Sequence, residues 1–221
     1  MGAQHRRYAI DALVDHLPQS LGEGSSEKEC VIDVQRRPSR SEPHRYILMH
    51  ERPSFGIAPV TTADDLASTI KLFRAYASAL DVDLSYQNFE AEMEAMPGKY
   101  APPAGELLLA RCSNGTPVGC VGIRPIGPHG CCEMKRLYVA PEGRGYGLGK
   151  RLVEAIVKEA QRIGYRQMRL DTLPSMGEAI ALYRKFGFEL IEPYYETPVT
   201  GTIFMGRSLI GRSGQEPASH R

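Results

Sequence analysis

The chain has 221 residues, enough for one domain with an ordinary apolar core and a tail besides. Its 27 lysines and arginines stand against 26 acids, a net charge of +1, so a nucleic-acid partner, which needs a basic face, is not expected. The five cysteines, Cys30, Cys112, Cys120, Cys131 and Cys132, are odd in number and lack Cys-x-x-Cys spacing, which argues against both a zinc site and a disulfide framework.

In chain order, residues 1–53 read as a flexible extension. Ile10, Leu13, Val14 and Leu17 follow a helical period that Pro18 ends, and polar, turn-prone segments come after it. No leader-like apolar stretch opens the chain, and Arg6 stands where myristoylation prefers Ser or Thr. No run of about eighteen apolar residues occurs anywhere. The expectation is a cytoplasmic protein, monomer or homodimer, with no membrane and no metal. A folded domain spans 54–210, and 211–221 is a flexible tail.

Within the domain, Phe55 to Val60 reads as a strand. Thr62-Ala63-Asp64-Asp65 then resembles a capping box, opening a helix with Leu66, Ile70, Phe73 and Tyr76 on one face. A second helix is expected from Ser85 to Met96, ended by Pro97-Gly98. Glu106 to Cys112 and Val118 to Ile126 form a hairpin across Ser113-Asn114-Gly115-Thr116. Gly127-Pro128-His129-Gly130 turns the chain into a strand from Cys131 to Val139. A helix from Gly147 to Ile163, a strand from Arg166 to Thr172 and a helix from Ser175 to Phe186 follow. Strands near Phe188–Tyr194 and Thr202–Leu209 close the pattern. The fold class is α+β, a mixed and mostly antiparallel sheet of about six to seven strands flanked by helices.

The richest motif is Arg144-Gly145-Tyr146-Gly147-Leu148-Gly149-Lys150. Glycines at every second position remove Cβ atoms where a ligand would approach the main chain. The following helix begins with unpaired N–H groups and about half a positive charge, so the turn is an anion cradle. The Walker loop is excluded because Arg151 follows Lys150 where a hydroxyl is required, and the dinucleotide fingerprint is excluded by glycine spacing. What remains is Arg-x-x-Gly-x-Gly at Arg144, Gly147 and Gly149. Some thirty residues later stands Ala179-Ile180-Ala181-Leu182-Tyr183-Arg184-Lys185-Phe186-Gly187-Phe188.

The two motifs, in this order, resemble the GCN5-related N-acetyltransferase (GNAT) superfamily, over about Phe55 to Leu209. The resemblance implies acetyl-CoA as co-substrate and an amine as acceptor, and a primary amine of a small molecule is the preferred acceptor. Arg144, Gly145, Tyr146, Gly147, Leu148, Gly149 and Lys150 would wrap the pyrophosphate. Main-chain groups of Leu137, Tyr138 and Val139 would run beside the pantetheine and hold the acyl carbonyl. Tyr183 falls where the family places a tyrosine facing the CoA sulfur. One departure stands out: relatives carry an asparagine three residues before the alanine of the second motif, and here that position is Met176, with Thr172 or Ser175 as substitute donors.

Acyl transfer to an amine sets the remaining requirements. Deprotonating an ammonium of pKa near 10 at pH 7 costs about 4 kcal/mol, so a base helps. The departing thiolate needs an acid and the tetrahedral oxyanion a rigid donor. Tyr183 is the candidate acid. Glu133 is the candidate base, at the start of the strand leading to the glycine loop; the alternative is an exposed charge pairing with Lys135 or Arg136. Arg151 is either a further phosphate contact or an exposed helix charge. Tyr86, Phe89, Glu90 and Tyr194 are acceptor-site candidates, whose rings and carboxylates suit a small cationic amine. A protein lysine or N-terminus as acceptor, and a non-catalytic CoA-binding module, are the competing functions.

Overall fold

The computed structural model describes residues 54–80, 82–127 and 129–210. The expected N-terminal extension and C-terminal tail both lie outside these residues, as does Cys30.

Seven strands form one sheet in the order β1-β2-β3-β4-β5-β7-β6. These are β1 (Phe55–Pro59), β2 (Glu106–Cys112), β3 (Pro117–Pro125), β4 (Cys131–Val139), β5 (Gln167–Thr172), β6 (Glu189–Leu190) and β7 (Ile203–Ser208). The helices are α1 (Ala63–Ser78), α2 (Phe89–Glu94), α3 (Leu148–Ile163) and α4 (Gly177–Lys185). Every strand pair is antiparallel except β4–β5. The α+β expectation therefore holds at the level of fold class and strand count.

Alternation along the strands divides the core. Leu108 and Ala110 of β2 join α3 residues Leu152, Val153 and Ile156 on one face. Leu107 and Leu109 join α1 residues Leu72 and Phe73 on the other. A period of two in the strands thus presents one apolar set to each helical layer. Thr62 caps α1 as its sequence implies, accepting from the Asp65 amide at 3.1 Å while its hydroxyl donates to Asp65 Oδ2 at 2.8 Å.

Two expected elements come out differently. The helix expected over Ser85–Met96 is a 3-10 turn at Ser85–Gln87 and then α2, broken at Asn88, whose φ of 54° is left-handed. Asparagine tolerates that conformation better than most residues, so it supplies the break. The strand expected near Phe188–Tyr194 pairs only over Glu189–Leu190. The Ile191 amide still reaches Phe204 O at 3.0 Å, but Pro193 has no N–H with which to continue.

The parallel junction positions the site. β4 and β5 pair only over Cys131–Glu133 and Gln167–Arg169, the first residues of each strand. Beyond, β4 carries a bulge: Gly122 faces Lys135 while Cys120 faces Tyr138, so Arg136 and Leu137 together stand opposite Val121. Arg136 has a φ of 58°, a left-handed conformation that costs on the order of 1 kcal/mol outside glycine. The two strands part there, and a cleft opens between them.

Candidate active site

Met134, Lys135, Arg136 and Leu137 of β4 line one wall of that cleft, and Leu170, Asp171 and Thr172 of β5 the other. Tyr183 of α4 and Met176 lie at its far side, and Tyr76, Leu80, Val82, Leu84 and Gln87 cover it from the α1 side. The structure therefore brings Tyr183 and Leu137 into one cavity.

Tyr183 is 7% exposed, its ring edge-on to Phe188 at 5.9 Å between centroids. Burial, with Tyr76 and Asp171 nearby, pushes its phenol well above the ordinary tyrosine value. The group therefore stays protonated across the physiological range and is available as a donor. Thr172 donates to Met176 Sδ at 3.6 Å, so the hydroxyl considered as a substitute donor is turned to the thioether that replaces asparagine.

Glu133 is not an exposed charge. It is 2% exposed, and Oε2 accepts from Arg124 Nε and Nη2, each at 2.8 Å. Tyr194 donates to Oε1 at 2.7 Å. Lys135, which the sequence offered as a surface partner, stands 3.9 Å away. Arg124 and Glu133 face each other across the β3–β4 hairpin, which explains the preference. Burial and the Glu133 charge together push the Tyr194 phenol far above its ordinary value, so Tyr194 remains a donor to Glu133.

Around this pair lies a buried ionic network that sequence reasoning missed. Glu92 of α2 receives Arg136 in a fork, Nε to Oε1 at 3.2 Å and Nη2 to Oε2 at 3.0 Å, and Tyr100 donates to it at 2.8 Å. Lys135 Nζ donates to Asp171 Oδ1 at 2.7 Å, and Tyr195 lies beside the same carboxyl. Burial raises the Glu92 and Asp171 carboxyls, but Arg136 and Lys135 respectively outweigh it and hold both below the usual range. A signal for part of this existed: Arg124 and Glu133 are equally distant from the Gly127–Gly130 turn. Nothing local marks Glu92, which is 44 residues from its partner.

The other acceptor candidates do not converge. Phe89 is buried under the Arg136 guanidinium, 5.0 Å from its ring centre, while Glu90 is exposed and paired with Arg74 at 2.8 Å. Both line a separate hollow between α1 and α2. Tyr194 stacks near Tyr195 and Phe204 behind the cleft. The Tyr86 side chain lies outside the described residues.

The glycine loop fits an anion. Gly145 and Gly147 have φ of 77° and 72°, and open space surrounds the position of a Cβ at each. Gly147 caps α3, whose first turn has no side-chain cap and no acid. Those N–H groups therefore face outward with their partial positive charge available to phosphate oxygens. Leu148 is buried and anchors the helix, whereas Lys150 is exposed. A Cβ at Gly149 would meet Val139 and Leu182 at an ordinary contact distance of 3.8 Å, so packing of α3 against β4 and α4 does not itself require glycine there. Arg144 Nε donates to Val139 O at 3.0 Å, bracing the loop against β4 below Tyr138. Tyr146 is 47% exposed, 5.6 Å from the Phe55 ring. Arg151 Nη2 donates to Phe55 O at 2.6 Å and ties α3 to β1.

Residues 68–188, more than half of the chain, match the sequence profile of the Acetyltransferase (GNAT) family. The chain belongs to that family. It is 41% identical over 157 residues to an uncharacterized N-acetyltransferase of Schizosaccharomyces pombe, covering 71% of this chain and 96% of that one. An IAA acetyltransferase of Azospirillum brasilense is 39% identical over 112 residues, covering 49% of this chain and 71% of the relative. Among solved structures, a GNAT-family acetyltransferase from Staphylococcus aureus superposes with a TM-score of 0.60, covering 71% of this chain and all of that one, at 18% identity. The protein is thus an acyl-CoA-dependent N-acetyltransferase. Among the described residues no helix is long and apolar enough to cross a membrane, and no cluster of His, Cys, Asp and Glu has the grouping of a metal site.

Proposed function

We propose that this acetyltransferase moves the acetyl group of acetyl-CoA to a primary amine on a small molecule. The observation that carries the reading is the cleft itself: strand parting, bulge and loop stand in series along β4, and Tyr183 closes the far end. The α3 amides and the loop glycines would hold the pyrophosphate, and the β4 main chain over Leu137–Val139 would flank the pantetheine. The bulge at Arg136 and Leu137 turns main chain into the cleft, where an amide donor would meet the developing oxyanion. Tyr183, kept neutral by burial, would give its proton to the departing thiolate.

The amine's proton leaves toward the carboxylates behind the cleft. Asp171 lines the cavity directly, and Glu133 stands behind it, joined through Lys135. Glu133 has no hydrogen bond into the cleft and Lys135 is a donor only, so the proton would pass to Asp171, and Glu133 would act through the charge it places 3.9 Å from Lys135. A small acceptor is favoured because Tyr76, Leu80 and Val82 line the cleft together with the β4 and β5 residues and bound the space beside Asp171.

Thermal-shift titration with acetyl-CoA, followed by an amine panel with thiol-release detection, tests the reading. Stabilisation that rises with ligand concentration, and turnover of free amines above that of lysine-containing peptides, are expected. Absence of stabilisation at millimolar acetyl-CoA removes it, and preference for peptides moves the acceptor to protein amines.

A further inference from the structure

We infer that the acceptor is a free α-amino acid with an apolar side chain, its carboxylate met by Lys135 and its amine by Asp171. This rests on the acetyltransferase reading above and names the acceptor of that same cleft.

Charge matching narrows the acceptor class. Asp171 is the single carboxylate among the described residues lining the cleft, and Lys135 lies against it at 2.7 Å. Glu92 is occupied by Arg136 and Tyr100, and Glu133 by Arg124 and Tyr194. A polyamine or aminoglycoside brings several ammonium groups and needs several carboxylates not already matched by cations. The cleft provides one, with a cation beside it.

A neighbouring plus and minus charge has its own complement. An ammonium carries three donors, and Asp171 accepts one of those of Lys135. The carboxylate likewise has more acceptor positions than its Lys135 bond uses. The pair therefore presents a cationic donor next to an anionic acceptor, which matches the carboxylate and amine borne on one α-carbon. Its side chains are 6% and 14% exposed, so water competes little for either contact. Such a pair adds little net stability once desolvation is counted, and its place on the cleft wall makes both charges available to a ligand.

The opposite wall supplies the second half of the specificity. Tyr76, Leu80, Val82 and Leu84 are apolar or aromatic and face the cleft from the α1 side. They suit an aliphatic or aromatic side chain and disfavour a charged one. A protein N-terminus offers the same amine without the adjacent carboxylate, so it leaves Lys135 unmatched.

The test compares three series with the full chain by thiol release: L-leucine, L-phenylalanine and L-methionine, each beside its amide and its decarboxylated amine. Acetyl-CoA binding is followed by thermal shift in parallel. In at least one series kcat/KM for the amino acid should exceed that for its amide and amine by about tenfold or more, the usual effect of a charge-assisted contact. Lys135→Met should shrink that ratio toward one, and Lys135→Arg should restore part of it. Should the Met variant fail to fold, the wild-type series decides alone. Amides or amines that equal the amino acids overturn the inference while the acetyltransferase reading stands, with an amide preference pointing to protein N-termini. Failure of every compound while acetyl-CoA still stabilises the protein has the same effect. Loss of the acetyl-CoA shift removes the parent reading, and this inference with it.

Discussion

Tyr183 and Glu133 differ in how each meets the cleft. Tyr183 lines it, and a phenylalanine there keeps the packing against Phe188 while deleting the hydroxyl. Tyr183→Phe is expected to lower kcat about 100-fold with acetyl-CoA stabilisation retained. An unchanged kcat would take the tyrosine out of the mechanism. Glu133 is behind the wall, held by Arg124 and Tyr194. Glu133→Gln keeps the shape and removes the charge, so the acidic limb of the pH–rate profile should move. Arg124 loses its full partner, and stability should fall by about 1–3 kcal/mol in urea titration. A superimposable profile ends its role in proton transfer and leaves a structural one.

Two devices decide the geometry at the scale of elements. The first is the turn into α3, where Gly147 holds a left-handed φ of 72° beside open space. Gly147→Ala should cost about 1 kcal/mol in backbone strain and place a methyl where phosphate would approach. The expected kinetic result is a raised KM for acetyl-CoA with kcat nearly kept; an equal KM would show that the turn is structural only. The second is the clamp from α2 to the β4 bulge. Glu92 and the Phe89 ring hold Arg136 in its left-handed conformation. Glu92→Ala leaves a buried guanidinium without its carboxylate, so a loss of about 3 kcal/mol or more is expected in chemical denaturation. A change under 1 kcal/mol would show that the bulge does not depend on α2.

The whole molecule combines these groups into a pH dependence. The Glu92 and Asp171 carboxyls are held below their usual range, so their stabilisation is present above about pH 4 and is lost as pH falls through the folded values. The Tyr100, Tyr183 and Tyr194 phenols are raised, chiefly by burial, so their contribution is intact below about pH 10 and is lost as pH climbs beyond it. Urea midpoints should therefore be flat across the neutral range and drop on both sides. A stability maximum shifted to pH 3 or 11 would contradict the network.

What the sequence determined by itself was whatever local chemistry can encode. Alternation placed the strands, Thr62 with Asp65 marked the start of α1, and glycines with a helical period marked the α3 turn, because each signal lies within a few residues. Tyr183 was legible for the same reason, as part of a contiguous motif. Only tertiary structure decided that Glu133 is buried with Arg124, that Lys135 meets Asp171 across the parallel junction, and that Glu92 holds the bulge. Those partners come from different elements, and a charged residue carries no mark of whether a distant chain segment will exclude water from it.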